Sequence, residues 1–328
     1  MKEIHVSYLA CPKCKSELEL GEIVLRQRDL IEEGTLTCRS CRRDFEIVKF
    51  IPRFVSKDNY AYGFGLEWTI HDRTQYDSHT GLPISETRFF EETRWPRNLK
   101  GEIILEAGCG SGRFTEQALK TGAFIITMDY SHAVEVNYRN NGPRDNLLCI
   151  QADIYEMPFC EKQFNKIFCF GVIQHTPDPK KAFLSLPSFI KDGGELVADF
   201  YKKQFRKLFA IKYYIRPLTK RIKPEWLYCM TKAYIDLMWP LSNLFRKLPR
   251  IGPMMNWALG IADHSRLGLK GKMLKKWAYL DTFDMFAPHY DYPQTKRTIE
   301  QWFKEGGFVD VEVTNGYNGL EGRGKLWR

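Results

Sequence analysis

The chain has 328 residues, of which 44% are hydrophobic and 27% are charged, with a formal net charge of +9. This composition is typical of globular proteins and excludes disorder as the main state, while the length predicts two domains or one large domain with additions. No apolar run reaches the roughly 18 residues of a membrane-spanning helix, and the N-terminus lacks the apolar stretch of a secretory signal, so we expect a cytoplasmic protein.

The first segment, residues 1–56, contains two Cys-x-x-Cys pairs separated by 23 residues. The four cysteines are Cys11, Cys14, Cys38 and Cys41. Each pair presents two thiolates on a tight turn, which is the ligand arrangement of a tetrahedral zinc site. Short strands are predicted at 17–20, 22–25 and 45–48, and so small a ribbon would depend on a structural Zn²⁺ ion for its folding energy.

The residues around these cysteines resemble a known family. Residues 8–14, 36–41, 45–47 and 50–53 are similar to the small zinc-ribbon proteins that serve as activator subunits of methyltransferases. Similar ribbons also occur fused in front of methyltransferase domains. The resemblance implies a structural zinc ion, since a catalytic one would need an open coordination position.

A connector over residues 57–100 is rich in aromatic side chains. Tyr62, Phe64 and Trp68 are candidate lid residues, because the face of an aromatic ring attracts a cationic ligand. The alternative is that these side chains pack the ribbon onto the following domain. The sequence leaves both interpretations open.

Residues 101–200 alternate between strand and helix signals. Strands are predicted at 103–105, 123–128, 146–151, 166–170 and 195–199. The alternation predicts an α/β fold with a doubly wound, mainly parallel sheet. Ligands of such sheets bind beyond the carboxyl ends of the strands.

The first of these strands ends in the glycine-rich turn Glu-Ala-Gly-Cys-Gly-Ser-Gly. A dinucleotide fingerprint would place its last glycine where this chain has Arg113, and the acidic residue suits a cationic or neutral ligand better than a pyrophosphate. The turn resembles motif I of the class I S-adenosylmethionine-dependent methyltransferases, whose core is Rossmann-like. The resemblance implies that Glu106 lies near the amino group of the methionine moiety, and that Gly108, Gly110 and Gly112 make room for the cofactor.

Acidic residues follow the next two strands. Asp129 ends the second strand, where a carboxylate can accept both ribose hydroxyls of a nucleoside, and Asp153 and Ile154 follow the third. The resemblance implies that Asp153 lies near the adenine amino group. A turn or a helix cap is the alternative for each aspartate alone, but their joint position after successive strands favours the cofactor role.

Residues 168–179 follow the fourth strand and resemble the family's segment that faces the methyl group. Gln174 is a candidate cofactor contact there. His175 can accept a proton from an attacking substrate hydroxyl, or it can cap a helix or pack beside the cofactor. Methyl transfer depends mainly on in-line positioning, so the sequence leaves the need for a general base open.

Residues 201–283 form a mainly helical insertion, because this fold normally has a single helix there. Residues 201–280 carry 18 Lys and Arg against three acidic residues, a balance of +15, together with four tryptophans. Basic and aromatic residues together suit an anionic membrane surface, while an RNA groove and a helical lid with a solvated basic face are alternatives. Lys212 and Arg216 fall on the apolar side of the expected helix and would have to snorkel.

Residues 284–328 resemble the last part of a methyltransferase core. A final helix is followed by a predicted strand at 309–313, and residues 316–324 are predicted as a loop before a last short strand. His289 and Tyr290 lie in a segment that often lines the acceptor pocket of such enzymes. They are therefore predicted as catalytic candidates.

These patterns together predict an S-adenosylmethionine-dependent methyltransferase with an N-terminal zinc ribbon. We expect O-methylation of a small or lipid-linked acceptor, a glycan or an isoprenoid intermediate, at the inner face of a membrane to which the enzyme binds peripherally. An RNA methyltransferase is the first alternative, and a non-catalytic zinc-ribbon adaptor is the second. The sequence leaves the acceptor, the pathway and the oligomeric state open.

Overall fold

A computed structural model describes residues 1–56, 60–204, 211–248 and 251–327 of the chain. The strands are β1 (Leu18–Gln27), β2 (Leu30–Cys38), β3 (Asp44–Val48), β4 (Ile51–Pro52), β5 (Ile103–Ala107), β6 (Phe124–Asp129), β7 (Leu147–Gln151), β8 (Phe164–Cys169), β9 (Ile190–Phe200), β10 (Phe308–Gly316) and β11 (Gly319–Leu326). The α-helices are α1 (Tyr62–Ile70), α2 (Asp77–Thr80), α3 (Ile84–Thr93), α4 (Arg113–Leu119), α5 (Ala133–Asn141), α6 (Pro179–Leu184), α7 (Ile211–Thr219), α8 (Pro224–Arg246), α9 (Gly252–Ala258), α10 (Gly271–Phe286) and α11 (Lys296–Glu305).

The central sheet has seven strands in the order β10-β11-β9-β8-β5-β6-β7. Strands β5 to β9 run parallel, β11 pairs antiparallel with β9, and β10 pairs antiparallel with β11. Successive strands add to one side from β5 to β7, and to the other side from β8 onward. This reversal beside β5 is the switch point at which doubly wound sheets bind ligands, and the predicted fold class is confirmed.

The ribbon is a separate four-stranded antiparallel sheet in the order β1-β2-β3-β4. The two strands predicted at 17–20 and 22–25 are in fact one strand, β1, whose pairing with β2 is irregular between Leu20 and Ile23. The Glu22 amide donates to the Thr35 hydroxyl at 3.0 Å, which satisfies the amide at this irregularity. The expected break is therefore a bulge, because an extra residue bends a strand without ending it.

The ribbon covers β7, the edge strand of the central sheet. The Phe54 amide donates to the Gln151 carbonyl at 2.8 Å, and the Tyr8 ring stacks on Phe124 with 4.7 Å between centroids. Buried side chains of the ribbon, such as Leu36, belong to the same hydrophobic cluster as those of the central sheet. This contact stabilises both parts, since an uncovered edge strand leaves backbone groups unpaired.

The insertion is helical, as predicted, but its last helix crosses the expected boundary at residue 283. Helix α10 continues to Phe286, so Asp281 and Asp284 lie three residues apart on one helix face. Within the described ranges, no helix combines the length and apolar composition that crossing a bilayer requires.

Lys212 and Arg216 do not snorkel, as the apolar side of their helix had suggested. Both contact Asp291, whose side chain is buried, and the Lys212 ammonium lies 2.8 Å from its carboxylate. The expectation was wrong because a carboxylate from outside the insertion neutralises the two cations inside the fold.

The glycine-rich C-terminal residues form β11 rather than the predicted loop. A Cβ atom at Gly322 would lie 2.6 Å from the Phe303 ring, and one at Gly324 would lie 2.9 Å from the same ring. The glycines are therefore needed for the close packing of α11 on the sheet and do not signal a flexible segment.

This packing gives the first prediction. Gly322→Ala should lower the free energy of unfolding by about 1–3 kcal/mol, because the buried Phe303 ring cannot move away from the new methyl group. Gly63→Ala is the matched control, since a Cβ atom there would meet nothing closer than Pro224 at 3.8 Å. Equal denaturant midpoints for Gly322→Ala and wild type would contradict the packing described.

Candidate cofactor and acceptor site

A cavity of about 990 Å³ opens at the carboxyl ends of β5, β6 and β8. One wall is the glycine loop and Asp129, and other walls come from α1, α10 and residues 262–267. Ligand sites in proteins usually measure about 300–1,000 Å³, so this one lies at the upper end of that range. The lid candidates Phe64 and Trp68 line it, whereas Tyr62 is exposed on the outside of α1.

The glycine loop approaches the cavity closely. Gly108, Gly110 and Gly112 all have positive φ angles, a conformation that side chains disfavour. A Cβ atom at Gly110 would lie 2.9 Å from the Trp68 indole nitrogen, and one at Gly108 would lie 2.2 Å from Val172. Glycine therefore lets the loop pack directly against Trp68 and Val172, and these two side chains line the cavity together with the loop.

Asp129 lies on the cavity wall at the end of β6, as predicted. One carboxylate oxygen accepts the Gly110 amide at 2.9 Å, and the other accepts the Ser131 amide at 2.8 Å and its hydroxyl at 2.7 Å. Burial raises the pKa of this carboxyl group, while these donors lower it. A carboxylate has about four acceptor positions, so Asp129 can still accept from a ligand.

Glu106 lies beneath the glycine loop, and its side chain is not on the cavity wall. Its carboxyl group accepts hydrogen bonds from the hydroxyls of Thr115 and Thr127, the latter at 2.9 Å. Burial raises the pKa of Glu106 to about 8. In this structure it joins α4 to β6, and its predicted contact with the methionine amino group stays a prediction.

Asp153, Ile154 and Gln174 lie beside the cavity and do not line it. Asp153 accepts the Tyr155 amide at 2.9 Å, and Gln174 is buried with neither amide atom hydrogen-bonded to a described residue. The ring of Tyr60 does line the cavity, and burial followed by the nearby Asp153 carboxylate raises its pKa. Tyr60 therefore faces the predicted adenine side of the site.

His175 lines the cavity, but the other two catalytic candidates do not. Its Nδ1 lies 2.9 Å from the Tyr290 carbonyl oxygen, so Nδ1 carries the proton and Nε2 is left as the basic nitrogen. His289 is exposed, and the ring of Tyr290 packs against that of Tyr60. His289 therefore lies outside this cavity, because the residues directly after α10 do not line it, and its catalytic role stays a prediction.

The insertion contributes polar side chains that the sequence analysis missed. His264 forms an ion pair with Asp281, and the Gln75 amide donates to the other oxygen of Asp281 at 3.3 Å. Burial lowers the pKa of His264, but the Asp281 carboxylate raises it by more, so the net pKa lies above the ordinary value. His264 is thus a proton acceptor whose charged form Asp281 stabilises, and it lines the same cavity as the glycine loop.

Acidic and basic groups face each other across this part of the cavity. Burial, then the charges of Asp284 and Asp281, raise the pKa of Glu67 well above its usual range, so that buried carboxyl group is held neutral. Arg113 lies on the wall and forms no ion pair with any described residue, although its guanidinium stacks on Phe114. Burial lowers its pKa to about 10, which still leaves it charged at neutral pH.

The four ribbon cysteines come together away from the cavity. All four sulfur atoms lie within 4.8 Å of one another, with Cys11–Cys41 at 3.6 Å and Cys14–Cys38 at 3.4 Å. A tetrahedral site with Zn–S bonds of about 2.3 Å places its sulfurs about 3.8 Å apart. The cluster therefore fits a Zn²⁺ ion in a closed structural site.

Comparison with known families agrees with this geometry. Residues 105–198 match the methyltransferase domain family, and residues 3–49 match the Trm112p-like protein family. The chain therefore has a class I S-adenosylmethionine-dependent methyltransferase domain preceded by a Trm112p-like zinc ribbon.

Individual relatives cover the methyltransferase part. A tRNA U34 carboxymethyltransferase of Campylobacter curvus is 32% identical over 35% of this chain and 39% of its own length. A ubiquinone biosynthesis O-methyltransferase of Coxiella burnetii is 28% identical over 33% of this chain and 47% of its own. The chain thus spans less than half the length of these curated relatives.

Among solved structures, the complex of the Haloferax volcanii Trm112 methyltransferase activator with a methyltransferase is similar. The TM-score is 0.46 at 12% identity, over 84% of this chain and 100% of that one. The strand order described above, rather than this score, defines the fold.

The cysteine cluster gives the second prediction. Purified protein should contain one tightly held zinc ion per chain, and Cys38→Ser should lose it and loosen residues 1–56, because metal binding supplies folding energy to such ribbons. The glycine loop should still bind cofactor. Cys160→Ser, at an exposed cysteine outside the cluster, is the control for elemental analysis. A metal-free wild-type protein with a folded ribbon would disprove the site.

The ion pair gives the third prediction. Asp281→Asn should lower the pKa of His264, because the substitution removes the carboxylate that stabilises the imidazolium form. Imidazole NMR titration of the variant and of wild type measures this change. An unchanged His264 titration would show that the two side chains do not interact in solution.

Proposed function

We propose that this chain transfers a methyl group from S-adenosylmethionine to a hydroxyl group of a small or lipid-linked acceptor. The observation that carries the proposal is the arrangement of one continuous cavity. The glycine loop and Asp129 form one wall, and titratable side chains of the insertion and of α1 line the same cavity. A cofactor and an acceptor can therefore meet inside a single site.

The fit of the cofactor rests on residues of the first wall. When bound, S-adenosylmethionine supplies an electrophilic methyl group on a sulfonium. Asp129 would accept a ribose hydroxyl, the backbone of the glycine loop would pass along the methionine moiety, and Arg113 would face the carboxylate of that moiety. Tyr60 and Tyr130, whose rings contact each other with 5.0 Å between centroids, would offer one aromatic surface to the adenine, with Asp153, Ile154 and Gln174 behind them and Glu106 below.

Two histidines that line the cavity would remove the proton from the acceptor. The free Nε2 of His175 or the carboxylate-supported His264 would accept the acceptor's hydroxyl proton, and Asp281 would stabilise the imidazolium that forms. Tyr290 would act through its carbonyl, which orients His175. Trp68 and Phe64 would exclude water and offer ring faces to the sulfonium.

RNA is the second candidate acceptor. It is favoured by the similarity to a tRNA U34 carboxymethyltransferase and by the charge of +15 over residues 201–280. A non-catalytic adaptor is disfavoured, because a protein that binds no cofactor needs neither a loop of three glycines with positive φ angles nor the Asp129 carboxylate that accepts its Gly110 amide.

The fourth prediction tests the cofactor site. Asp129→Ala should weaken S-adenosylmethionine binding by about 1.5–3 kcal/mol, because hydrogen bonds to a charged acceptor are worth that much. Calorimetry measures the change, with Asp192→Ala at an exposed position as the control. Transfer of labelled methyl groups to extracted lipids, glycans or RNA then identifies the acceptor. Equal affinity of Asp129→Ala and wild type would refute the proposed cofactor position.

A further inference from the structure

Helix α8 has two apolar faces, and only one of them is buried. Leu227 packs against Phe283 and Phe286 of α10, and Ile235 packs against Ile261 and Ala278. A second row faces outward. This apolar stripe consists of Trp226, Met230, Leu237, Leu241 and Leu244, and all five are exposed.

The apolar stripe is continuous along the helix. Its members recur at spacings of three, four or seven residues, which keeps them on one face of an α-helix about 27 Å long from Trp226 to Leu244. Leu237 is 77% exposed and Trp226 is 68% exposed, so these side chains contact little of the described protein. A contiguous exposed apolar surface of this kind marks an interaction site.

Cations lie at both ends of the apolar stripe. Lys220, Arg221 and Lys223 precede α8 and Lys247 follows it, and all four are exposed. None of them forms an ion pair with a described residue, unlike Lys212 and Arg216, which Asp291 neutralises. The free charges are therefore placed where they can meet a negatively charged partner.

We propose that the apolar stripe docks on an anionic lipid bilayer, with α8 lying parallel to the membrane plane. An apolar helix face flanked by Lys and Arg is the pattern of interfacial helices, and tryptophan favours the headgroup layer. Protein interfaces, in contrast, are depleted of lysine. An RNA-binding surface would expose its cations without an intervening row of leucines.

More exposed apolar side chains lie between α8 and the cavity in the chain. They are Leu248, Ile251 and Met254, and Trp257, one turn after Met254 on α9, is half exposed and lines the cavity. Resting on the proposed function, this placement identifies the acceptor as an amphiphile. Its hydroxyl group would enter the cavity while its hydrocarbon part stays in the bilayer.

The fifth prediction tests the docking with vesicles. Wild-type protein should co-sediment with vesicles of phosphatidylglycerol mixed with phosphatidylcholine, and much less with pure phosphatidylcholine. Leu237→Glu/Leu244→Glu should weaken this binding at least about tenfold, because two leucines no longer enter the interface. Lys220→Glu/Lys223→Glu should weaken it by at least about fivefold per cation.

The matched control is Ile4→Glu/Val24→Glu, which makes the same charge change at equally exposed apolar residues of the ribbon. It should bind vesicles as wild type does, and all variants should keep their affinity for S-adenosylmethionine in calorimetry. The vesicle assay does not depend on methyl transfer. The docking proposal can therefore be refuted while the proposed function holds, and the reverse is also possible.

Two results would overturn the docking. Equal vesicle binding by Leu237→Glu/Leu244→Glu and wild type would show that the apolar stripe does not touch lipid. A lipid-free dimer that the same substitutions dissociate, together with no vesicle binding by wild type, would make the apolar stripe an interface between two copies of this chain.

Discussion

The hydrogen bond from the Gly110 amide to the Asp129 carboxylate fixes the geometry on which the rest of the site depends. It joins the turn after β5 to the end of β6, so that two adjacent parallel strands present their ends to one cavity. Glu106 makes a second tie below it, through the hydroxyls of Thr115 and Thr127. Because Glu106 is buried and Asp129 is half-buried, an unpaired carboxyl group at either position would be costly, and the donors therefore hold the loop in one conformation.

The remaining walls are added to this frame from outside the sheet. The ribbon covers the edge strand β7, and thus supports the end of the strand that Asp153 follows. The insertion brings α10 across the cavity, with Asp281 and Asp284 facing the glycine loop side. Neither addition is needed to close the central sheet, and of the two only the insertion lines the cavity. In this way one fold can carry out the same methyl-transfer step on different acceptors.

Local signals were enough to predict the frame from sequence. The paired cysteines, the glycine-rich turn and Asp129 lie at the ends of short, strongly patterned elements, and the structure places them as expected. The acceptor wall was not predictable, because His264 and Asp281 lie on separate elements and meet only through the packing of the insertion. The position of His289 outside the cavity was not predictable either, since it depends on where α10 ends. The misjudged C-terminal glycines show that a glycine-rich segment can mean close packing on Phe303 rather than a loop.

A crystal structure with S-adenosylhomocysteine would test the central claim most directly, namely that cofactor and acceptor share this one cavity. We expect a ribose hydroxyl of this ligand within hydrogen-bond distance of Asp129, and its sulfur atom directed toward His175 and His264. A ligand whose ribose lies away from Asp129, or whose sulfur faces away from the insertion, would contradict it.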